Sequence, residues 1–288
     1  MPRDVYDPPP PRREPGVSRR ALFGFGLLAR ARANVDYEGV TERVGAGWER
    51  DGHEPLLRSL EPMAETLVEL AEVEQGMRVL DAAAGDGNVA AAVLALGAEV
   101  DACDLARTMV TRGRARVPGA CWLQADVQEL PYRDAAFDAV LSNLGAVLAP
   151  RARRTARELV RVTRPRGVVA LTAWVPTGLP GRVDELVESV APLPEGIRSP
   201  SAWGVQDVVN KRLEPLLEDL QLRTRVVRFT FAGPDAFFAA LLRPYPLDDA
   251  QRAALRPDLA RVLASCQNPA EGVEVDARYL QAIGRRRV

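Results

Sequence analysis

The sequence predicts an α/β protein built on a doubly wound, mostly parallel sheet of seven strands, and three observations predict it. Short runs rich in β-branched residues alternate with helix-forming stretches from residue 78 onward. The first run, Val79-Leu80-Asp81-Ala82, opens into a loop of small residues, Ala83-Ala84-Gly85-Asp86-Gly87. Acidic residues then recur where successive strands should end, at Asp81, Asp104 and Asp126.

Five runs, 78–82, 99–103, 121–125, 137–142 and 167–174, read as the parallel strands. The stretches 88–96, 106–116 and 151–163 are long enough for right-handed crossover helices between them. Before the first strand, Val40, Val44, Trp48, Leu56, Leu57, Leu60, Met63, Leu67 and Leu70 recur at three- and four-residue steps, which predicts two or three helices. After Trp174 prolines punctuate 175–200, then a helix is expected over 205–220 and a strand over 223–231. Helices over 234–242 and 247–265 and a terminal strand near 276–285 complete the count. Residues 1–33 hold four consecutive prolines, Pro8 to Pro11, and seven arginines against three acids, a composition of a disordered tail. The layout expected is thus a tail over 1–33, lid helices over 34–75, a ligand-binding core over 76–175, and cap helices with the last strands over 176–288.

Composition narrows the function classes. The net charge of −1 recommends neither nucleic acid nor an anionic membrane as a partner. Cys103, Cys121 and Cys266 are scattered without metal-ligand spacing, so no metal and no disulfide framework is expected. No stretch reaches the roughly 18 to 20 apolar residues that cross a bilayer. Ser18-Arg19-Arg20-Ala21-Leu22-Phe23 has the form of a twin-arginine export signal, but Arg30 and Arg32 interrupt the apolar run where a cleavage site should lie, and a cytoplasmic location is expected.

The loop after the first strand lets backbone N–H groups and a helix N-terminus approach a ligand closely. By itself it fits two ligands, since Gly85-x-Gly87-x-x-Ala90 also matches a dinucleotide fingerprint. The three acids favour the other reading, because they repel a pyrophosphate and suit a ligand carrying an amino group, a ribose diol and an adenine amine. A nicotinamide-dependent reductase of the short-chain type also needs a tyrosine four residues before a lysine, and Lys211, the only lysine, has Asp207 there.

These residues resemble a known family. VLDAAAGDGN resembles the first motif of class I S-adenosylmethionine-dependent methyltransferases, CDLARTM the second-strand motif, ADVQELPYRDAAFDAVLSNLG the third and fourth, and ELVRVTRPRGVVALTAW the fifth-strand region. The resemblance covers roughly 79–174 and implies a Rossmann-like methyltransferase fold, S-adenosyl-L-methionine as cofactor, and methyl transfer to an oxygen, nitrogen or carbon atom of a small organic acceptor. By the same resemblance Ala83, Gly85 and Gly87 form the loop backing the methionine part, with Ala83 standing where the family usually has glycine. Asp81 supports the loop or the amino group, Asp104 with Leu105 takes the ribose, and Asp126 with Val127 takes the adenine. Ser142 and Asn143 fall where the family lines the transfer site.

Trp48 has two readings, a cap on the sulfonium through its ring face or a core residue. His53, the sole histidine, is the candidate base if the acceptor must lose a proton, or else a residue of a helix junction. Trp174, Trp203, Phe237 and Tyr245 either wall an aromatic or heterocyclic acceptor or pack the cap. Arg153, Arg157 and Arg161 at four-residue steps read as a solvated helix face rather than a phosphate stripe. The expected partner is a small-molecule acceptor of the aromatic or heterocyclic natural-product kind, with the chain a monomer or homodimer; the alternative is a protein that binds the cofactor without turnover.

Overall fold

The computed structural model describes residues 35–264 and 272–288. The tail expected over 1–33, with its twin-arginine-like segment, and Cys266 lie outside the described residues. Three helices come first: α1 (Tyr37–Trp48), α2 (Glu54–Ser59) and α3 (Glu61–Leu70). Asp36 caps α1 by accepting the Gly39 N–H at 2.8 Å, which satisfies one of the helix's unpaired donors. The sheet region then runs β1 (Arg78–Ala82), α4 (Asn88–Ala95), β2 (Glu99–Asp104), α5 (Arg107–Arg116), β3 (Cys121–Gln124), β4 (Phe137–Asn143), α6 (Ala152–Val162) and β5 (Thr163–Trp174). The cap and closing strands are α7 (Leu179–Val190), α8 (Gln206–Leu213), β6 (Leu217–Phe231), α9 (Pro234–Leu242), α10 (Asp249–Ala264) and β7 (Val273–Arg286).

The seven strands form one sheet in the order β3-β2-β1-β4-β5-β7-β6. β1 to β5 pair in parallel, and β7 lies antiparallel between β5 and β6. The chain winds outward from β1 to β3 and then returns to β4, so the switch point falls between β1 and β4, where such sheets bind ligands.

Side-chain alternation along the central strands builds two cores. Val79, Leu141, Val168 and Ala170 pack on one face with Leu67 and Val68 of α3 and Val89 and Val93 of α4. Leu80, Val140, Val169 and Leu171 pack on the other face with Leu159 of α6 and Val209 and Leu213 of α8. Burial on both faces is what a parallel sheet covered by crossover helices requires. A third core joins Leu56, Leu60 and Met63 to α7, α9, α10 and the paired ends of β6 and β7.

Two elements differ from expectation. The helix expected over 205–220 ends at Leu213, and β6 begins at Leu217. Pro215 has no N–H to continue the helix, and Leu217 pairs with Arg286 at the start of a long antiparallel ladder. The proline-punctuated stretch contains a twelve-residue helix, α7, because Pro180 occupies its first turn, where a missing N–H costs nothing.

Candidate active site

The chain leaves β1 through a tight bend. Ala83, Gly85 and Gly87 all have positive φ, +56°, +57° and +93°. The Gly87 N–H closes the bend on the Ala84 carbonyl at 3.0 Å, and α4 starts immediately after. Gly87 serves the bend rather than the ligand: a Cβ there would stand 2.8 Å from the Trp122 ring, and the residue is not on the cavity wall.

The acids converge as their strand-end positions require. The Asp81 carboxylate accepts the Ala90 N–H at 2.9 Å, tying β1 to α4. Asp104 accepts from Gly85 N at 2.8 Å and from Ala106 N at 2.9 Å, which fixes the loop against the start of α5. Asp126 accepts from the backbone and side-chain amides of Gln128 at 2.8 and 2.9 Å. All three line one continuous cavity of about 510 Å3, together with Ala83, Gly85, Leu105, Val127 and Asn143. That size lies within the range of small-molecule sites.

Burial raises the Asp81 carboxyl to about 7, helped by the charges of Asp104 and Asp86 and opposed by the Ala90 hydrogen bond. Burial likewise raises Asp104 to about 6 against its two principal backbone hydrogen bonds. No ion pair relieves Asp81, Asp104 or Asp126 among the described residues, whereas Asp86 is held by Arg58 and Arg116. Carboxylates without a counterion, two of them buried, favour a ligand that brings positive charge and hydrogen-bond donors.

Helix α1 roofs this end. Thr41, Val44, Gly45 and Trp48 face the cavity, and Gln128 links Asp126 to the Thr41 hydroxyl at 3.0 Å. Glu49, just past α1, accepts the first two N–H groups of α5, from Arg107 at 2.6 Å and Thr108 at 3.0 Å. An anion at a helix N-terminus is a favourable clamp. Asn88 completes the seam by donating to the Leu57 carbonyl at 2.7 Å.

The cap forms the opposite end. Trp174, at the end of β5, lines the cavity with Val183, Val187, Leu193 and Leu241, and so does Tyr245, whose hydroxyl donates to Asp184.

Besides Gly87, four residues expected at the site do not meet the cavity. His53 is fully buried, stacked on Trp48 at 4.6 Å between ring centroids, and bonded through Nε2 to the Gly47 carbonyl at 3.2 Å. It is absent from the wall, and burial lowers its pKa, so it supports Trp48 and is not placed to take a proton from an acceptor. Ser142 donates to the Ala82 carbonyl at 2.6 Å and accepts from Ala146 N at 2.9 Å, which locks the exit of β4 to β1. Trp203 is core on the α6–α8 face of the sheet, with the Arg212 guanidinium 4.4 Å above its ring. Phe237 packs between Phe231 and Phe238 in the cap core.

Sequence reasoning missed Thr41, Gln128, Glu49, Asp184 and Glu188. For the last two a signal existed, since they interrupt the apolar stripe Leu179, Val183, Val187 of one helix. Of the arginines read as a solvated face, Arg153 and Arg157 are exposed and Arg161 pairs with Glu158 and Asp134; beside them Arg154 pairs with Glu129, and Arg151, just before α6, with Glu38.

Residues 80–171 match the family model for a methyltransferase domain. Over 224 residues the chain is 32% identical to the uncharacterized protein Rv1403c of Mycobacterium tuberculosis, spanning 76% of this chain and 73% of that one. A demethylmenaquinone methyltransferase of Beutenbergia cavernae is 39% identical over 92 residues, 32% of this chain and 38% of that one. The solved BH2331 protein of Bacillus halodurans shares the fold, with a TM-score of 0.56 at 18% identity over 78% of this chain and 99% of its own. The chain belongs to the class I S-adenosylmethionine-dependent methyltransferases, and S-adenosylmethionine is its cofactor. The unpaired acids in one cavity fit that molecule, which carries a sulfonium, an amino group, a diol and an adenine amine.

Proposed function

We propose that this methyltransferase acts on a small organic acceptor held under the cap, through an oxygen, nitrogen or carbon atom of an aromatic or heterocyclic natural product. The observation that carries the reading is the single cavity joining the carboxyl ends of β1 to β3 with the apolar walls of α7 and α9.

In this reading the bend at Ala83 and Gly85 backs the methionine part and Asp81 faces its amino group. Asp104 with Leu105 holds the ribose hydroxyls, Asp126 and Val127 hold the adenine, and the Trp48 face covers the sulfonium. When bound, the cofactor supplies an electrophilic methyl carbon. The protein's contribution is positional: Asn143 and Trp174 border the space where the acceptor meets that carbon, and α1 with the cap excludes water. No covalent nucleophile is needed, and Cys103, whose thiol burial pushes up to about 12, is not one.

We also place the protein in the cytoplasm, where the cofactor is made, with a small molecule as partner and no nucleic acid. Among the described residues no helix is long and apolar enough to cross a membrane. Isothermal titration with S-adenosylmethionine and S-adenosylhomocysteine tests the site, and silence with both removes the assignment. Incubation with a panel of phenols, amines and heterocycles, read by mass, tests catalysis: a gain of one methyl group supports it, and cofactor binding without any product favours a binding protein.

A further inference from the structure

The cap end of the cavity is mostly apolar and carries one acidic patch. Asp184 and, one turn later on α7, Glu188 reach the wall, and Tyr245 from the segment after α9 closes the same patch. Asp184 is 6% exposed and accepts the Tyr245 hydroxyl proton as a hydrogen bond. That hydroxyl therefore keeps its oxygen lone pairs for another donor.

Among the described residues no cation pairs with these carboxyl groups. Among the described residues neither Asp184 nor Glu188 forms an ion pair, and the charge that acts on Asp184 is that of Glu188, a like charge. Arg43 is the cation on the cavity wall, and it stands on α1 over the cofactor end. The order of the strands separates the two ends. Asp81 and Asp104 lie at the carboxyl ends of β1 and β2 and Asp126 just past β3, while α7 follows β5 on the far side of β4.

We propose that Asp184, Glu188 and Tyr245 are the polar subsite for the acceptor and select a molecule that presents a hydroxyl or amine donor and carries no negative charge. This rests on the reading of the cavity as a joint cofactor and acceptor site. An acceptor carboxylate or phosphate would have to enter a poorly solvated wall facing two acids, where like-charge repulsion is strong. A phenol or an amine instead donates to the Tyr245 oxygen or to Glu188 while its ring system rests on Trp174, Val183 and Val187. Burial raises the Asp184 carboxyl to about 6, so it is ionised at neutral pH and keeps the Tyr245 proton turned toward itself.

The test uses the full chain saturated with S-adenosylhomocysteine, whose own binding is measured first. 2-Naphthol, 2-naphthylmethylamine and 2-naphthoate then share one apolar frame and differ in the polar group. The alcohol and the amine should bind at least about tenfold more tightly than the carboxylate, the span of one lost hydrogen bond plus repulsion. Glu188→Gln, on a half-buried side chain, should narrow that ratio, and Asp184→Asn with Glu188→Gln should bring it to within about threefold. Tyr245→Phe should weaken 2-naphthol by about five- to tenfold and leave S-adenosylhomocysteine affinity unchanged. Equal or tighter binding of 2-naphthoate by the native chain, binding by none of the three, or a ratio untouched by the double substitution overturns the proposal. Absence of S-adenosylhomocysteine binding instead fells the cofactor reading, and this proposal with it.

Discussion

Replacing Asp81 by asparagine should make the ligand-free protein more stable and the cofactor weaker. Asp81 is 1% exposed, and its carboxyl rises from 3.8 to about 7, chiefly through burial. Between those pH values the native chain holds a proton that the unfolded chain has released, so this group lowers stability as pH rises from 4 to 7. Three pH units correspond to on the order of 4 kcal/mol at pH 8. Asparagine keeps the Ala90 N–H through its carbonyl oxygen but buries an amide NH2, at about 1–3 kcal/mol. The net expectation for Asp81→Asn is a gain of about 1–3 kcal/mol at pH 8, roughly 2–10 °C in Tm. Near pH 4 only the amide cost remains, so the sign reverses. Thermal unfolding of both proteins without ligand, at pH 4 and pH 8, measures the effect, and calorimetry should show cofactor affinity reduced by about 10- to 100-fold. A pH-independent stability difference, or a variant less stable at pH 8, would refute the argument that an uncompensated charge sits there.

For the native chain, S-adenosylmethionine affinity should rise between pH 5 and 8 with release of protons, because a cation favours the ionised forms of Asp81 and Asp104; calorimetry in buffers of different ionisation enthalpy reads this, and flat affinity without proton release counts against it. Glu49→Ala should expose Arg43 in α1 to trypsin faster and weaken the cofactor, at a cost of about 1 kcal/mol, the value of one helix cap. Burial works to raise the Glu49 carboxyl, but the Thr108 and Arg107 hydrogen bonds outweigh it and hold it low, so in the native chain the clamp holds at neutral pH and is lost as pH falls through that lowered value. Ala83→Gly relieves a left-handed alanine by about 1–2 kcal/mol while loosening the unfolded chain by about 0.4–1 kcal/mol, so stability should stay within about 1 kcal/mol and cofactor binding should not weaken; denaturant unfolding showing a loss above about 2 kcal/mol would mean that the methyl group packs a core.

The sheet was legible because burial on both faces writes itself as short β-branched runs, and the acids were legible because a residue at a strand's carboxyl end has only one place to go. Asp104 and Asp126 needed no further information than their position at the end of β2 and just past β3. The α8–β6 boundary was misread because Leu213, Leu216, Leu217 and Leu220 keep a helical spacing through a strand, which outweighed the signal of Pro215, and pairing with β7 fixes where the strand begins. Helix α7 was hidden for a different reason: a proline in the first turn of a helix looks, in sequence, like a proline that breaks one. Among aromatic residues, type alone did not separate Trp174, on the cavity, from Trp203, beneath the sheet, because both faces of that layer demand large apolar side chains. His53 misled in the same way, its chemistry inviting a role that its burial behind Trp48 denies.

The distribution of arginine argues that the empty charges of the cavity are a property of the site and not an accident of composition. The chain carries 38 basic residues against 39 acids. On the outer side of the same bend, Asp86 is held by Arg58 and Arg116, and across the surface Asp101, Asp138, Glu158 and Asp276 each meet an arginine. Among the described residues Asp81, Asp104 and Asp126, a few residues away, meet none, although an arginine at one of the apolar wall positions would neutralise them. Leaving buried carboxylates unpaired costs the free protein stability, as the raised values of Asp81 and Asp104 indicate. In the proposed reading that cost is recovered when a ligand supplies the positive charge and the donors, so stability surrendered by the empty protein becomes affinity for the cofactor.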